Sequence, residues 1–250
     1  MQKENYIRAE LVERLDLSED VAVFRFKPEM KIDFIPCQYV TLAVEESERL
    51  IQRPYSIASS KYDSLIEIFV DLVHQGTLTP RLWDMRPQDQ AWLRRRVAGN
   101  FLMREDLSAS HLFAATVTGG APFVSMIRTM KEDLKKGAQR DVSMGFVHGA
   151  SYEEELGFYT EELLETARDG WLNYVPTLSR PWEAPLWQGE TGRVEDVLRK
   201  YLDLWKLTYR NSCAYGCGHP IMIKNVKQIL ERARYPADRI KEEKYYVSKE

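Results

Sequence analysis

His111-Leu112-Phe113-Ala114-Ala115-Thr116-Val117-Thr118-Gly119-Gly120-Ala121-Pro122-Phe123 is the stretch that decides the fold. Its first seven residues form a short apolar run of strand length. Two glycines break the run. Proline then opens a segment carrying Phe123, Met126, Ile127 and Met130 at helical spacing, which ends at Lys135, Lys136 and a capping Gly137. The reading is strand, tight turn, helix. The same alternation continues downstream, with strands at 142–148, 171–176 and 212–215 and helices at 152–168, 193–204 and 220–234. Strands alternating with helices predict a parallel sheet covered on its faces.

Upstream of this stretch the pattern has period two. Val21 to Phe26 is rich in branched and aromatic residues, and Tyr39 to Val44 places Val40, Leu42 and Val44 on one face. Between Leu65 and Val73, Ile66, Ile68, Val70 and Leu72 share a face, with Glu67 and Asp71 on the other. Short alternating strands separated by turns predict an antiparallel barrel or sandwich. A helix interrupts them at Thr79-Pro80-Arg81-Leu82-Trp83, with threonine suited to the N-cap and proline to the first helical position. The boundary between the two patterns falls near 103–108, giving expected domains of 1–104 and 105–250.

Bulk properties narrow the function classes. The 250 residues are 44% hydrophobic and 29% charged, with a formal net charge of -3. That balance suits cores of useful size and gives no sign of nucleic-acid binding. The apolar runs are too short to span a membrane, and the polar start, Met1 to Asn5, lacks the stretch of a secretion signal, so a cytoplasmic protein is expected. Three cysteines are too few for a disulfide framework or a four-cysteine cluster, and four scattered histidines offer no paired metal ligands.

Four segments carry candidate chemistry. Arg53-Pro54-Tyr55-Ser56 offers a cation, a flat ring and a hydroxyl. In an extended chain Arg53 and Tyr55 share one face, suited to a pyrophosphate and a stacked ring, and Ser56 turns the other way. A surface turn with a half-buried tyrosine reads equally well. Gly76-Thr77-Leu78-Thr79-Pro80 places a glycine before a helix start, where phosphates are welcome, or is an ordinary capped helix. Thr116 to Pro122 occupies the position of a dinucleotide phosphate turn at the carboxyl end of a strand, without being a GxGxxG motif; a plain strand–helix turn is its alternative. Cys217-Gly218-His219-Pro220 is again strand to helix, with Cys217 at the sheet edge or simply buried.

In this order the segments resemble the ferredoxin–NADP reductase family in its bacterial form. The resemblance runs through Arg53 to Ser56, Gly-x-Leu-Thr at 76–79, Gly99-Asn100-Phe101, the 116–122 turn and Ser179-Arg180-Pro181. It continues in Trp187-x-Gly189-x-x-Gly192-Arg193 and Cys217-Gly218-x-Pro220-x-Met222. It implies a six-stranded antiparallel FAD-binding barrel followed by a five-stranded parallel sheet that binds NADP(H). It also implies a flavoenzyme that passes electrons between NADPH and a ferredoxin or flavodoxin. By this resemblance Arg53 meets the flavin pyrophosphate, Tyr55 stacks on the isoalloxazine and Ser56 lies near its N5. Gly76, Leu78 and Thr79 take phosphates, and Asp71, Leu72, Val73 and His74 line the ribose and adenine side. Thr118 and Gly119 meet the dinucleotide, and Cys217 lies against the nicotinamide. Tyr246 covers the flavin's other face.

The chain departs from the family pattern in two places. The turn usually reads Thr-Gly-Thr-Gly-Ile-Ala-Pro; here Val117 replaces the first glycine and Gly120 the isoleucine. Where an arginine often follows the next strand and holds the 2′-phosphate, Ser151 stands. Arg180 and Arg193 remain as phosphate partners, so NADP(H) is expected with NAD(H) left open. Arg94, Arg95 and Arg96 are a basic run suited to docking an acidic carrier, or a strand with solvated arginines. The competing readings are an NADH-linked reductase component of an oxygenase and a flavin-binding subunit of a larger complex. A monomer is the default.

Overall fold

Alternation in the first hundred residues builds one curled antiparallel sheet. In the computed structural model, which describes residues 3–105, 108–138 and 142–245, its strands are β1 (Tyr6–Asp16), β2 (Val21–Pro28), β3 (Tyr39–Glu46), β4 (Arg49–Ser56), β5 (Ile66–Asp71) and β6 (Gln90–Arg94). Their order is β4-β3-β6-β1-β2-β5. Inward residues such as Ile7, Leu11, Phe24, Phe26, Leu42, Ile68 and Leu93 are fully or almost fully buried and form one core. Each such side chain contributes roughly 1.5–3 kcal/mol. A bulge between Leu11 and Glu13 adds a residue to β1, which leaves Val12 exposed and tightens the curl. The short helix α1 (Thr79–Asp84) sets Leu82 into the core, and Trp83 packs its ring on Phe24.

The curl brings the two edge strands, β4 and β5, toward each other. They meet just past the end of β4, where Ile57 bridges Ile68 and the Ala58 amide donates to the Glu67 carbonyl at 2.8 Å. Beyond that bridge, among the described residues, no ladder joins the two edges toward Arg53 on one side and Asp71 on the other.

The second sheet contains β7 (Ser110–Thr116), β8 (Ser143–Ala150), β9 (Leu172–Leu178), β10 (Glu190–Thr191), β11 (Ser212–Gly218) and β12 (Ile240–Lys244), all parallel, in the order β10-β9-β8-β7-β11-β12. It has six strands where the resemblance implies five, because the two residues of β10 add a short edge beyond β9. Helices α4 (Val194–Leu204) and α5 (Pro220–Arg232) cover one face, packing on Leu112, Ala114, Val147 and Ala214. The other face carries a run of rings, Tyr215, Phe113, Phe146 and Tyr174, with neighbouring centroids 5.4–6.2 Å apart. The expected helix at 152–168 is a 3-10 turn, Glu153–Leu156, followed by α3 (Tyr159–Ala167). The break falls at Gly157, whose φ is +55°.

By packing, the chain divides into Met1–Leu102 with Ala121–Asp133, and Met103–Gly120 with Leu134–Glu250. Most of helix α2 (Ala121–Lys135) therefore groups with the first sheet, although it follows the first strand of the second. Its side chains explain why. Ser125 donates to the Ser59 carbonyl at 2.7 Å, and the Thr129 hydroxyl bonds Ser60 and the Lys61 amide. Arg128 reaches Glu67 at 2.5 Å, and Arg25 holds the other oxygen of that carboxylate at 2.7 Å. Glu67, on the face of β5 opposite Ile66, Ile68 and Val70, is therefore buried at 4% exposure.

Candidate functional site

The first group of candidate residues lies on the edges of the curled sheet. Arg53 and Tyr55 stand opposite Leu42 and Val40 in the β3–β4 register, so both project from the concave face of the sheet, as the alternation predicts. Tyr55 packs against the core and burial raises its phenol pKa, Arg53 opposing weakly, so the ring is neutral. Arg53 is exposed and donates from Nη2 to the Thr77 hydroxyl at 3.0 Å. Two constellations separated by more than twenty residues are thereby brought together. Pro54 is exposed between them, and Ser56 is almost fully buried, paired in register with Tyr39.

Beyond β5, one residue organises the loop from Val73 to Thr79. The Val73 carbonyl accepts from the Gly76 amide at 2.8 Å and from the Thr79 hydroxyl at 3.1 Å, and the Val73 amide donates to that hydroxyl at 2.9 Å. Thr79 is thus not the N-cap expected from its type. Leu78 holds that position without a side-chain cap, because the threonine hydroxyl is committed to Val73. Leu78 itself is buried in the core. Asp71 ends β5 exposed, the Leu72 amide donates to Asp20, and His74 pairs with Asp20 at 2.9 Å on the surface.

The second group sits where the chain order reverses. From β7 the chain steps outward through β8, β9 and β10, then returns to place β11 on the other side of β7. A crevice opens at the carboxyl ends of strands at such a reversal, and ligands of open α/β sheets bind there. Thr118 and Gly119 lie at the end of β7, and Cys217 at the end of β11. The two ends are laced together. The Thr116 hydroxyl accepts from the His219 amide at 2.9 Å, and a Cβ on Gly119 would stand 2.4 Å from the Cys217 carbonyl oxygen. Gly119 is needed for packing against β11. The Cys217 thiol is buried; desolvation, with Glu243 adding, pushes its pKa well above its ordinary value. It is a neutral, shape-filling group and not a thiolate.

The third group lies at the carboxyl ends of β8 and β9. The guanidinium of Arg180, just past β9, sits over the Tyr152 ring at 5.0 Å and donates to its hydroxyl. The Gly192 amide donates to Leu178, and Thr177 to the Gly192 carbonyl, which draws the start of α4 and the exposed Arg193 to the same edge. Ser151 lies just past β8, and the Glu155 carboxylate accepts from the Ser151 and Tyr152 amides at 2.7 and 3.0 Å. Tyr246 lies outside the described residues. The sequence reading passed over His148, which is fully buried beneath the Thr118–Gly120 turn.

Two oxidoreductase domain profiles match successive parts of the chain. An oxidoreductase FAD-binding domain profile matches residues 8–98, and an oxidoreductase NAD-binding domain profile matches 113–228. The ferredoxin–NADP reductase of Azotobacter vinelandii is 28% identical over 208 residues, 78% of this chain and 77% of its own length. The chain carries the FAD-binding and NAD-binding oxidoreductase domains in that order and is similar to ferredoxin–NADP reductases. The reductase component of phenol 2-monooxygenase from a Pseudomonas species is 29% identical over 94% of this chain and 64% of its own length. In fold, the chain superposes on a Neisseria gonorrhoeae ferredoxin–NADP reductase with bound FAD and NADP, with a TM-score of 0.84, 22% identity and coverage of 97% and 99%. The protein is therefore an FAD-dependent flavoenzyme that also binds a nicotinamide dinucleotide. Its residues fit both groups. An unburied guanidinium beside a glycine-containing loop suits a diphosphate. The switch-point turn leaves room only for glycine at 119, which suits a close backbone approach to a dinucleotide phosphate. Among the described residues no cluster could hold a metal ion, and no helix is long and apolar enough to cross a membrane.

Proposed function

We propose that the protein transfers electrons between NADPH and a one-electron carrier, a ferredoxin or flavodoxin, through FAD. The single observation that carries this reading is the meeting of Arg53 with Thr77 of the loop before α1, on the sheet edge that carries Tyr55. When bound, FAD supplies the conversion between two-electron hydride chemistry and one-electron release.

The residues divide the work. Arg53 and the amides around Gly76, Leu78 and Thr79 neutralise the flavin pyrophosphate. Tyr55 gives the isoalloxazine an aromatic wall, and the Ser56 hydroxyl bonds the ring edge near N5. Asp71, Leu72, Val73 and His74 border the ribose and adenine side. Thr118 and Gly119 receive the dinucleotide backbone, and Arg180 and Arg193 pair with its 2′-phosphate. Cys217, neutral and buried, keeps the nicotinamide in register by contact, and Tyr246 gives way as it arrives. Holding donor and acceptor in one geometry is the main rate effect. Arg94, Arg95 and Arg96, all exposed at the end of β6, steer an acidic carrier.

A specific observation favours a second reading, an NADH-linked reductase component of an oxygenase. Ser151 offers no cation at the end of β8, and Glu155 occupies its amide and that of Tyr152. Anaerobic absorbance titration of the flavin-loaded protein separates the two. Faster bleaching by NADPH, lost in Arg180→Ala and Arg193→Ala, supports the first. Faster bleaching by NADH moves the protein to the second. A colourless protein that takes up no FAD refutes both.

A further inference from the structure

The turn after β7 holds a conformation that its own residue resists. Val117 has φ +42°. A β-branched residue at positive φ is a true outlier, and such strain persists only where the surroundings over-determine it. At this position the surroundings are specific. The Nε2 of His148, on the adjacent strand β8, lies 2.8 Å from the Val117 carbonyl oxygen. A carbonyl only accepts, so Nε2 carries the proton and Nδ1 is left to accept from the Tyr174 hydroxyl at 3.2 Å. The Tyr174 oxygen also lies 3.5 Å from the Thr160 hydroxyl on α3. The imidazole fills the space beside the turn as well: a Cβ on Gly120 would fall 2.7 Å from Nε2. Burial lowers the His148 pKa to about 4 and raises that of the Tyr174 phenol, so neither group changes charge near neutral pH.

We propose that His148 is a positioning residue for the dinucleotide turn, its Nε2–H pinning the Val117 carbonyl and so holding Thr118, Gly119 and Gly120 in the binding conformation. The inference rests on the reading that this turn receives the dinucleotide. Without the donor, Val117 relaxes toward negative φ and the binding conformation becomes a minor state. Apparent affinity then falls by the fraction of molecules still competent. A glycine at 117 accepts positive φ without strain, so the same loss should matter far less in that background.

The test is calorimetric titration of the flavin-loaded, full-length protein with NADP+ and with NAD+, neither of which is turned over. His148→Leu should weaken the preferred dinucleotide about tenfold, with bound FAD unchanged, whereas in a Val117→Gly background it should weaken it by less than about threefold. An equal loss in both backgrounds, or no loss in the first, overturns the proposal. If His148→Leu does not fold, His148→Gln and His148→Asn decide. The longer amide reaches as Nε2 does and should retain affinity, whereas the shorter one should lose it; equal behaviour overturns the proposal. Failure of the unsubstituted protein to bind either dinucleotide refutes the reading beneath it, a result distinct from binding without coupling.

Discussion

Replacing Gly119 by alanine should disable dinucleotide binding while leaving the flavin in place. The added Cβ would lie 2.4 Å from the Cys217 carbonyl oxygen, 2.7 Å from its carbonyl carbon and 2.7 Å from the Gly218 Cα. All three are backbone atoms at the end of β11, so no side chain can swing aside. Ordinary contact begins at 3.4 Å, so the turn and the strand end must part by about 1.0 Å. Overpacking of this kind costs about 1–3 kcal/mol of stability. A displacement of about 1 Å in a positioned site is worth on the order of a hundredfold in rate. Gly216, two residues earlier on β11, is the matched control, because a Cβ there meets only Ile223 side-chain atoms at 3.7 and 3.9 Å. Flavin content, thermal midpoint, dinucleotide affinity and single-turnover flavin reduction should be measured for both variants. Gly119→Ala should lose affinity and reduction rate with full flavin content, and Gly216→Ala should lose neither. If Gly119→Ala binds and reacts as the unsubstituted protein does, the packing argument for this turn is wrong.

Arg53→Ala removes the cation at the proposed pyrophosphate and should weaken FAD retention by about 1.5–3 kcal/mol, read as flavin lost on gel filtration; full retention would remove Arg53 from the flavin site. Glu67→Gln leaves Arg25 and Arg128 without their shared carboxylate. The Arg128 side chain is 16% exposed and that of Arg25 28%, so the loss should sit near the lower end of the roughly 3–5 kcal/mol expected when a buried pair is broken, measured by urea unfolding. Burial depresses His111 and His148 from 6.5 to about 4, so the unfolded chain binds more protons between those values. Stability should therefore fall as pH drops from about 7 toward 5, and His148→Gln should flatten that slope; a flat profile for the unsubstituted protein would refute the assignment. Charge reversal of Arg94, Arg95 and Arg96 should slow carrier reduction, more so at low salt, and spare reduction of a small dye. Equal loss of both would rule out docking there.

Patterning made much of this fold legible. Val21 to Phe26, the apolar face of β5 and the apolar run of β7 announced themselves by their concentration of branched and aromatic residues, which are buried. β12 did not: Ile240-Lys241-Glu242-Glu243-Lys244 pairs on one side only and is largely charged, as befits an edge. The burial of Glu67 could not be read from its strand, because period-two patterning knows nothing of a helix arriving from residue 121 onward. Thr79 was given the cap its type prefers, and only the three-dimensional loop shows its hydroxyl turned to Val73. The candidate residues emerged from motif order, yet the support beneath the turn did not. A histidine in an apolar strand carries no mark of the carbonyl it will meet.

The division of packing has a consequence for how such a chain can be cut and recombined. Each unit is discontinuous in sequence: the chain leaves the first at Leu102, passes through β7 and the turn, returns for Ala121–Asp133 and leaves again. A fragment ending near residue 104 would keep every strand of the first sheet and lose Ser125, Arg128 and Thr129, the groups that satisfy Ser59, Glu67 and Ser60. It would expose a carboxylate the native fold keeps covered, and would be less stable than its complete sheet suggests. A chimera that grafts a foreign dinucleotide-binding half onto this flavin half should splice after Asp133 and retain the native helix. A junction in the linker, the obvious place by sequence, separates the helix from the surface it was shaped to cover.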